Sequence, residues 1–123
     1  MPYLGPVRKW DVFWANLDPV VGREQAGRRR PVLVVSADRF SNSTLQLVMV
    51  VPLTRREEKT RQFFPFEVAL PQGTVGNAFT SVAETHQLRT ISKQRLLEPA
   101  GRVEARSARE AIEDALLAHL GIE

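Results

Sequence analysis

Two long apolar runs separated by a polar stretch are the feature that most constrains the fold of this chain. The runs PVLVVS at residues 31–36 and LQLVMVVPL at residues 45–53 flank the polar stretch SADRFSNST. Both are short, rich in β-branched residues and continuously apolar, as is typical of strands buried on both faces. Pro31 stands first in its run, where a missing backbone donor is tolerated. The pattern therefore predicts two buried strands that form an antiparallel hairpin.

Further short strand-like segments surround this hairpin. Residues 11–17 (DVFWANL) stop at the turn signal Asp18-Pro19, and further candidate strands cover residues 64–70, 78–84 and 86–90. Gly, Pro and Asn residues separate these segments. Many short strands with such spacing are typical of a small barrel or sandwich, so we expect a mainly β fold.

The C-terminal tail has helical spacing instead. Ile112, Ala115, Leu116 and Leu120 recur at intervals that place them near one face of a helix. Ser107 and Glu110 fit a capping box, and Gly121 stands where a C-terminal cap is expected. We predict a helix over residues 108–120 whose apolar stripe covers one open face of the barrel, and a further helical turn after Ser92.

Size and composition limit the other possibilities. The chain has 123 residues, which suits a single domain spanning residues 1–123. It contains no cysteine, so it has neither a disulfide framework nor a thiolate metal site. No apolar run approaches the ~20 residues of a membrane helix, and the N-terminus lacks the apolar core of a signal peptide. We expect a cytoplasmic protein without a membrane partner.

Basic charge is concentrated in the first half of the chain. Residues 1–65 hold 11 Lys and Arg against 6 Asp and Glu, whereas residues 66–123 hold 6 against 8. Such clustering is typical of a protein that binds a phosphate backbone, although a well-solvated face would look the same from charge alone. The clustered basic residues are Arg23, Arg28, Arg29, Arg30, Arg39, Arg55, Arg56, Lys59 and Arg61.

The remaining polar residues point away from cofactor chemistry. The two histidines, His86 and His119, lie far apart in the chain, and we expect structural or surface roles for them. No metal-ligand spacing, phosphate-cradling glycine loop or nucleophile elbow is present in the sequence. Arg, Thr, Glu and Gln beside a basic surface suit phosphoryl chemistry in which the substrate supplies the nucleophile, as RNA does through its 2′-OH. We therefore expect no cofactor and no metal.

These residues carry a resemblance to a known family. The stretches DVFWANLDPVVGREQAGRRRPVLVVSADRF, VPLT, PFEVAL and QLRTISKQRL closely resemble the MazF/PemK (Kid-like) toxins of type II toxin–antitoxin systems. The resemblance covers nearly the whole chain from Asp11 to the terminal helix, and its motifs are specific in combination. One departure is Trp10, since the family usually has Gly just before the Asp-Val pair.

The resemblance implies a fold, an activity and partners. The fold would be a small SH3-like barrel of antiparallel strands with a C-terminal helix, as in the CcdB/MazF/Kid group. The activity would be metal-independent, sequence-specific cleavage of single-stranded RNA to 2′,3′-cyclic phosphate and 5′-hydroxyl ends. The implied partners are a second copy of the chain in a homodimer and a cognate antitoxin whose acidic C-terminal segment blocks the RNA groove.

The resemblance also implies the catalytic residues. The Arg directly before the strand proline is Arg30, and its partner at the end of the VPxT strand is Thr54. Arg30 would stabilise the charge of the transition state, and donation of a proton to the leaving 5′-oxygen is a second role for it. It is a poor base, because a guanidinium stays protonated near neutrality. Glu24 is our candidate base for the 2′-OH, and a salt bridge that orients Arg30 is an equal alternative for it.

The other polar residues near these motifs are candidates for binding or support. We expect Gln87 to anchor a loop, and Arg89 and Arg95 to be structural charge partners. The candidate RNA-binding residues are Arg23, Gln25, Arg28, Arg29, Arg55 and Arg56.

Two other functions stay open from the sequence. A catalytically silent member would bind RNA or antitoxin without cutting. A CcdB-type gyrase poison would share the fold class and act as a protein-binding module, but that type lacks the combination of EQAGRRRP and VPLT present here.

Overall fold

The architecture was derived from a computed structural model of the chain, which describes residues 3–19, 21–24, 27–55, 65–71, 73, 75 and 81–122. Two 3₁₀ turns, Thr85–Gln87 and Lys93–Arg95, flank the sixth strand. The strands and helices are β1 (Asp11–Ala15), β2 (Arg30–Val34), α1 (Asp38–Ser41), β3 (Leu47–Arg55), β4 (Glu67–Leu70), β5 (Ser81–Glu84), β6 (Arg89–Ser92), β7 (Leu96–Arg102) and α2 (Arg106–His119).

The described strands form one antiparallel sheet organised around β3. The sheet has seven strands in the order β4-β5-β3-β2-β1-β7, and β6 pairs with β3 outside this path. Strand β3 is long enough to pair with β6 over its first four residues, β2 over its middle and β5 over its last three. The predicted mainly β fold with a C-terminal helix is confirmed.

Apolar side chains form one cluster on each face of the central strands. Phe13 and Val32 belong to the first cluster, whereas their chain neighbours Val12 and Leu33 belong to the second. Because successive side chains of a strand point to opposite faces, the two clusters lie on opposite sides of β1 and β2. This explains why the run at residues 31–36 is apolar without alternation.

The predicted hairpin of the two apolar runs is confirmed as β2 and β3. Their pairing is antiparallel, with Val32 opposite Pro52 and Val34 opposite Val50. The polar stretch between the strands contains the short helix α1. Strand β3 extends to Arg55, so Thr54 lies within the strand and not at its end.

In the C-terminal half one predicted strand was wrong and one strand was missed. Residues 86–90 were expected to be a strand, but His86 lies in a 3₁₀ turn and the strand β6 starts only at Arg89. Strand β7 was not predicted, because Pro99 and Gly101 weaken its strand pattern. Pro99 is tolerated because β7 is the edge strand next to β1.

The terminal helix and its C-terminal cap were predicted correctly, since Gly121 has a φ angle of +75° and its N–H donates to Ala118 O at 3.1 Å. The N-terminal cap was not predicted correctly. Helix α2 starts at Arg106, after the N-cap residue Ala105, and no side chain caps it. Ser107 therefore lies inside the first turn, and Glu110 accepts a hydrogen bond from Arg106 Nε at 2.9 Å. Ile112 and Ala115 are buried and Leu116 packs against the core, which confirms these three residues of the predicted apolar stripe. Leu120 was predicted to belong to the stripe, but it lies beyond the helix and is 58% exposed. The further helical turn after Ser92 is confirmed, with the Ser92 hydroxyl accepting from Gln94 N.

Candidate active site

Arg30, the first residue of β2, meets Thr54, the last residue but one of β3. Continuing the β2–β3 register by two residues from the Val32–Pro52 pair places Arg30 beside Thr54. Arg30 Nη2 donates a hydrogen bond to Thr54 Oγ1 at 3.4 Å, and both side chains are half-buried. The structure thus brings together the two residues for which the resemblance implies catalysis. Their hydroxyl and guanidinium groups form a donor pair suited to a phosphate.

Strands on both sides hold this pair in place. Ala15 of β1 lies opposite Arg30, and Val82 of β5 lies opposite Thr54. Ala15 and Val82 are both fully buried. The pair therefore stands on a rigid part of the sheet, at the boundary between the core and solvent.

Glu24 lies in the exposed loop between β1 and β2. Its Oε1 accepts a hydrogen bond from Val21 N at 2.9 Å, and its own backbone N–H donates to Val21 O at 3.3 Å. The contacts of Glu24 among the described residues are thus within its own turn. Glu24 faces solvent, and its catalytic role stays a prediction.

The three consecutive arginines have different surroundings. Arg29 forms an ion pair with Glu98 of β7, and its guanidinium lies 4.7 Å from the ring centre of Trp14 in β1. Arg30 instead reaches across to β3. Arg29 therefore has a carboxylate partner that an RNA phosphate would have to displace, while Arg28 is exposed.

Two other predicted RNA-binding residues are described. Arg23 lies in the β1–β2 loop, and Arg55 directly follows Thr54 at the end of β3; both are exposed. Gln25 and Arg56 lie outside the described residues. The binding role of this group stays a prediction.

Gln87, Arg89 and Arg95 all bind backbone carbonyl groups near the β1–β2 loop. Gln87 Nε2 donates to Arg23 O at 3.0 Å, as expected for a loop anchor. Arg89 Nη1 donates to Leu17 O at 3.3 Å, and Arg95 Nη1 donates to Asp18 O at 2.6 Å. The two arginines were expected to pair with charged groups, but these described contacts are with the chain preceding the loop.

The histidines lie on other elements. The His86 ring packs 4.2 Å from the ring centre of Phe66, and His119 is exposed at the end of α2. Within the described ranges, no three His, Cys, Asp or Glu side chains are grouped so that they could hold a metal ion. The same part of the chain has no helix long and apolar enough to cross a membrane.

Comparison with known proteins identifies the family of this chain. Residues 8–120 match the family described as the PemK-like, MazF-like toxin of type II toxin–antitoxin systems. The chain belongs to this family. The match covers the whole sheet and helix α2, so the predicted family is confirmed.

Individual relatives agree with this assignment. The chain is 35% identical over 120 residues to endoribonuclease MazF9 of Mycobacterium tuberculosis, covering 94% of this chain and 98% of the relative. It is 38% identical over 92 residues to endoribonuclease EndoA of Bacillus subtilis, covering 75% and 76% of the two chains. The crystal structure of MazF from Deinococcus radiodurans superposes with a TM-score of 0.78 at 27% identity, covering 96% of this chain and 99% of that one.

Two residues that the sequence analysis did not single out lie next to Arg30: Gly27, which contacts it, and Asp18, which is bonded to Gly27. Asp18 was interpreted only as part of a turn, and Gly27 only as one position of the family motif. In the structure Asp18 Oδ1 accepts a hydrogen bond from Gly27 N at 2.9 Å. Pairing of the two positions could not be foreseen, because it depends on how the intervening loop closes.

Proposed function

We propose that this chain is the endoribonuclease toxin of a type II toxin–antitoxin system and cleaves single-stranded RNA without a metal. The observation that carries the proposal is the Arg30–Thr54 pair, 3.4 Å apart at a basic end of the sheet, in a chain of this toxin family. Two relatives named as endoribonucleases support the choice of RNA as substrate.

The reaction is a transesterification within the RNA. The 2′-oxygen attacks the adjacent phosphorus, the bond from phosphorus to the 5′-oxygen breaks, and the products carry a 2′,3′-cyclic phosphate and a 5′-hydroxyl. Arg30 donates charge-assisted hydrogen bonds to the phosphate as negative charge develops on it, and the Thr54 hydroxyl holds a phosphate oxygen. Because the nucleophile belongs to the substrate, its proximity to phosphorus is already built in.

Two proton transfers complete the reaction. The Glu24 carboxylate takes the proton of the 2′-OH, and Arg30 supplies a proton to the leaving 5′-oxygen. Solvent then returns the proton from Glu24 to Arg30. Glu24 lies in an exposed loop, which gives solvent access to its carboxylate.

RNA binding is assigned to the basic residues around the pair. Arg23, Arg28 and Arg55 are exposed and therefore able to contact phosphates. Arg29 binds a phosphate in place of its ion-pair partner Glu98. Gln25 and Arg56 are assigned to the same surface from the sequence alone. Phosphate contacts of this kind set affinity more than sequence preference.

The toxin's partners follow from the family. We assign it a homodimeric state and a cognate antitoxin whose acidic C-terminal segment covers the RNA-binding surface. Membership in a family of type II toxin–antitoxin systems supports the antitoxin. The exposed arginines near Arg30 and Thr54 support an acidic inhibitor, since opposite charges speed association.

The test is cleavage of a mixed-sequence single-stranded RNA in EDTA, followed by analysis of the product ends. We expect cleavage to persist and to leave 2′,3′-cyclic phosphate and 5′-hydroxyl ends. An RNA with a 2′-deoxy nucleotide on the 5′ side of the scissile bond is the matched control and should stay intact. Cleavage of that control would refute the mechanism, and binding without any cleavage would identify a catalytically silent RNA-binding protein.

Separate substitutions distinguish catalysis from binding. Arg30→Ala should lower the single-turnover rate at saturating RNA by about 100-fold or more, because the lost interaction is strongest in the transition state. Arg55→Ala should mainly raise the Kd for RNA and reduce the slope of log Kd against log salt by about 1. If Arg30→Ala raised the Kd and left the saturated rate unchanged, the assignment of Arg30 to catalysis would be wrong.

A further inference from the structure

The loop between β1 and β2 is closed at its base by two hydrogen bonds, and a third orders the chain on one side. Gly27 N donates to Asp18 Oδ1 at 2.9 Å, and Leu17 N donates to Gly27 O at 2.8 Å. Asp18 N also donates to Asn16 Oδ1 at 3.1 Å. Residues 16–18 and Gly27 therefore form a compact base, from which the chain runs on to Arg30.

The far side of this base is held by Arg95. Arg95 Nη1 donates to Asn16 O at 3.1 Å and to Asp18 O at 2.6 Å. Asn16 N in turn donates to Arg95 O at 2.9 Å. Arg95 lies just before β7 and next to its fully buried neighbour Leu96, so the base of the loop is attached to the core of the sheet.

The near side of the base touches Arg30. A Cβ atom built at Gly27 would lie 2.3 Å from Arg30 Cγ and 2.5 Å from Arg30 Cδ. The φ angle of Gly27 is +137°, a conformation that residues with a side chain rarely adopt. The aliphatic part of Arg30 therefore lies directly on the backbone of Gly27, in a space that only glycine leaves open.

From these contacts we propose that Asp18 and Gly27 are positioning residues for Arg30. The Asp18 carboxylate holds the Gly27 amide, and the Gly27 backbone forms a wall that directs the Arg30 guanidinium toward Thr54. Arg95 keeps the base of the loop in register with the sheet. The inference rests on the proposed function, because it assigns the wall a role in the reaction at Arg30.

Arg30 benefits from a positioning contact because an arginine side chain has many accessible rotamers. An unsupported arginine samples many rotamers, and ordering it at the moment of reaction costs free energy. A wall along the Cγ and Cδ atoms removes most of that freedom before RNA binds. A displacement of about 1 Å at a reacting centre can cost about 100-fold in rate, so the wall should affect the chemical step more than RNA binding.

The first test compares two substitutions of Asp18. Asp18→Ala removes the acceptor of the Gly27 amide, whereas Asp18→Asn keeps an oxygen in the same place. We expect Asp18→Ala to lower the single-turnover rate at saturating RNA by about 10- to 100-fold. The Kd for an uncleavable 2′-deoxy-substituted RNA should change less than about threefold, and Asp18→Asn should keep most of the wild-type rate.

The second test compares two glycines of the same loop. Gly22 and Gly27 both have positive φ angles, but a Cβ at Gly22 would meet no atom within 4 Å. Gly27→Ala should therefore lower the saturated cleavage rate strongly, and Gly22→Ala should leave it near that of the wild type. Thermal unfolding shows whether each variant folds. If Asp18→Ala does not fold, the two glycine variants still test whether Gly27 positions Arg30.

The outcomes separate the inference from the proposed function. A wild-type protein that cuts RNA, together with an Asp18→Ala variant that cuts equally fast, would overturn the inference alone. Equal losses of rate and RNA affinity in Asp18→Ala and Asp18→Asn would also overturn it, because they would indicate a general loop defect. A wild-type protein that cuts no RNA would overturn the proposed function and the inference with it.

Discussion

At Trp10 the backbone has a φ angle of +81°, which is a strained conformation for a large side chain. The residue is nevertheless 7% exposed and belongs to the second apolar cluster together with Ile112. Lys9 Nζ lies 5.1 Å and Arg109 Cζ lies 5.5 Å from the ring centre, so cations approach the indole from two elements. A positive φ explains why glycine suits this position, and packing against α2 explains how tryptophan is accommodated.

Trp10→Gly should destabilise the protein although it relieves the backbone. Relief of the left-handed conformation is worth about 1–3 kcal/mol, whereas emptying the space of a buried aromatic side chain costs about 3–5 kcal/mol. We expect a net loss of about 2 kcal/mol in the free energy of unfolding, measured by urea denaturation. Trp10→Phe, which keeps most of the packing, should lose less. A gain in stability for Trp10→Gly would mean that backbone strain is the larger effect.

At the scale of elements, helix α2 closes one face of the sheet. Ile112 is fully buried in the second cluster, and Leu116 packs against that cluster from the same side. Leu117 on the next position is 43% exposed. Since most of the stability of a helix of this length comes from packing, its buried stripe should dominate its contribution.

The helix offers a matched pair of substitutions that measures this contribution. Ile112→Ala removes fully buried methylene and methyl groups and should lower the free energy of unfolding by about 2–4 kcal/mol. Leu117→Ala, on the exposed side of the same helix, should change it by less than about 0.5 kcal/mol. Both variants are compared with wild type by urea denaturation with a common m-value. Similar losses in the two variants would show that the helix packs with a different face in solution.

At the scale of the whole molecule, the exposed residues next to Arg30 and Thr54 in the chain are basic. Arg28 and Arg29 directly precede Arg30, and Arg55 directly follows Thr54; all three are exposed. Helix α2 instead carries mixed charge, with Arg106 and Arg109 beside the exposed acidic residues Glu110, Glu113 and Asp114. An anionic chain, whether RNA or an acidic peptide, is therefore attracted to the same end of the molecule.

An acidic peptide with interspersed leucines should compete with RNA for this end. We expect it to displace a fluorescent 2′-deoxy-substituted RNA completely, and its association rate to fall steeply with salt, since exposed charges are screened within about 10 Å at 0.1 M. Stopped-flow fluorescence measures the rate. The control peptide carries Asn and Gln in place of the acidic residues and should not compete. A ternary complex of protein, peptide and RNA in analytical ultracentrifugation would contradict shared binding.

The sequence alone determined the features that depend on residues close together in the chain. The β2–β3 hairpin follows from two short apolar runs and helix α2 from the period of its apolar residues, and both patterns depend only on neighbours in the chain. The resemblance of the GREQAGRRRP and VPLT segments pointed to Arg30 and Thr54, and the hairpin explains why they meet. Neighbouring antiparallel strands place the start of β2 and the end of β3 at one end of the sheet, so this part of the site was predictable.

Only the tertiary structure decided the contacts that join distant parts of the chain. Strand β7 pairs with β1 despite Pro99, because edge strands tolerate a missing donor and burial of Leu96 favours the pairing. That pairing brings Glu98 to Arg29, and Arg95 to the carbonyl groups of Asn16 and Asp18. Each of these contacts is a specific hydrogen bond or ion pair between residues more than 60 positions apart. A sequence pattern does not show which of many polar groups will pair with each other. The partners are decided only when the packed core sets the distances between them.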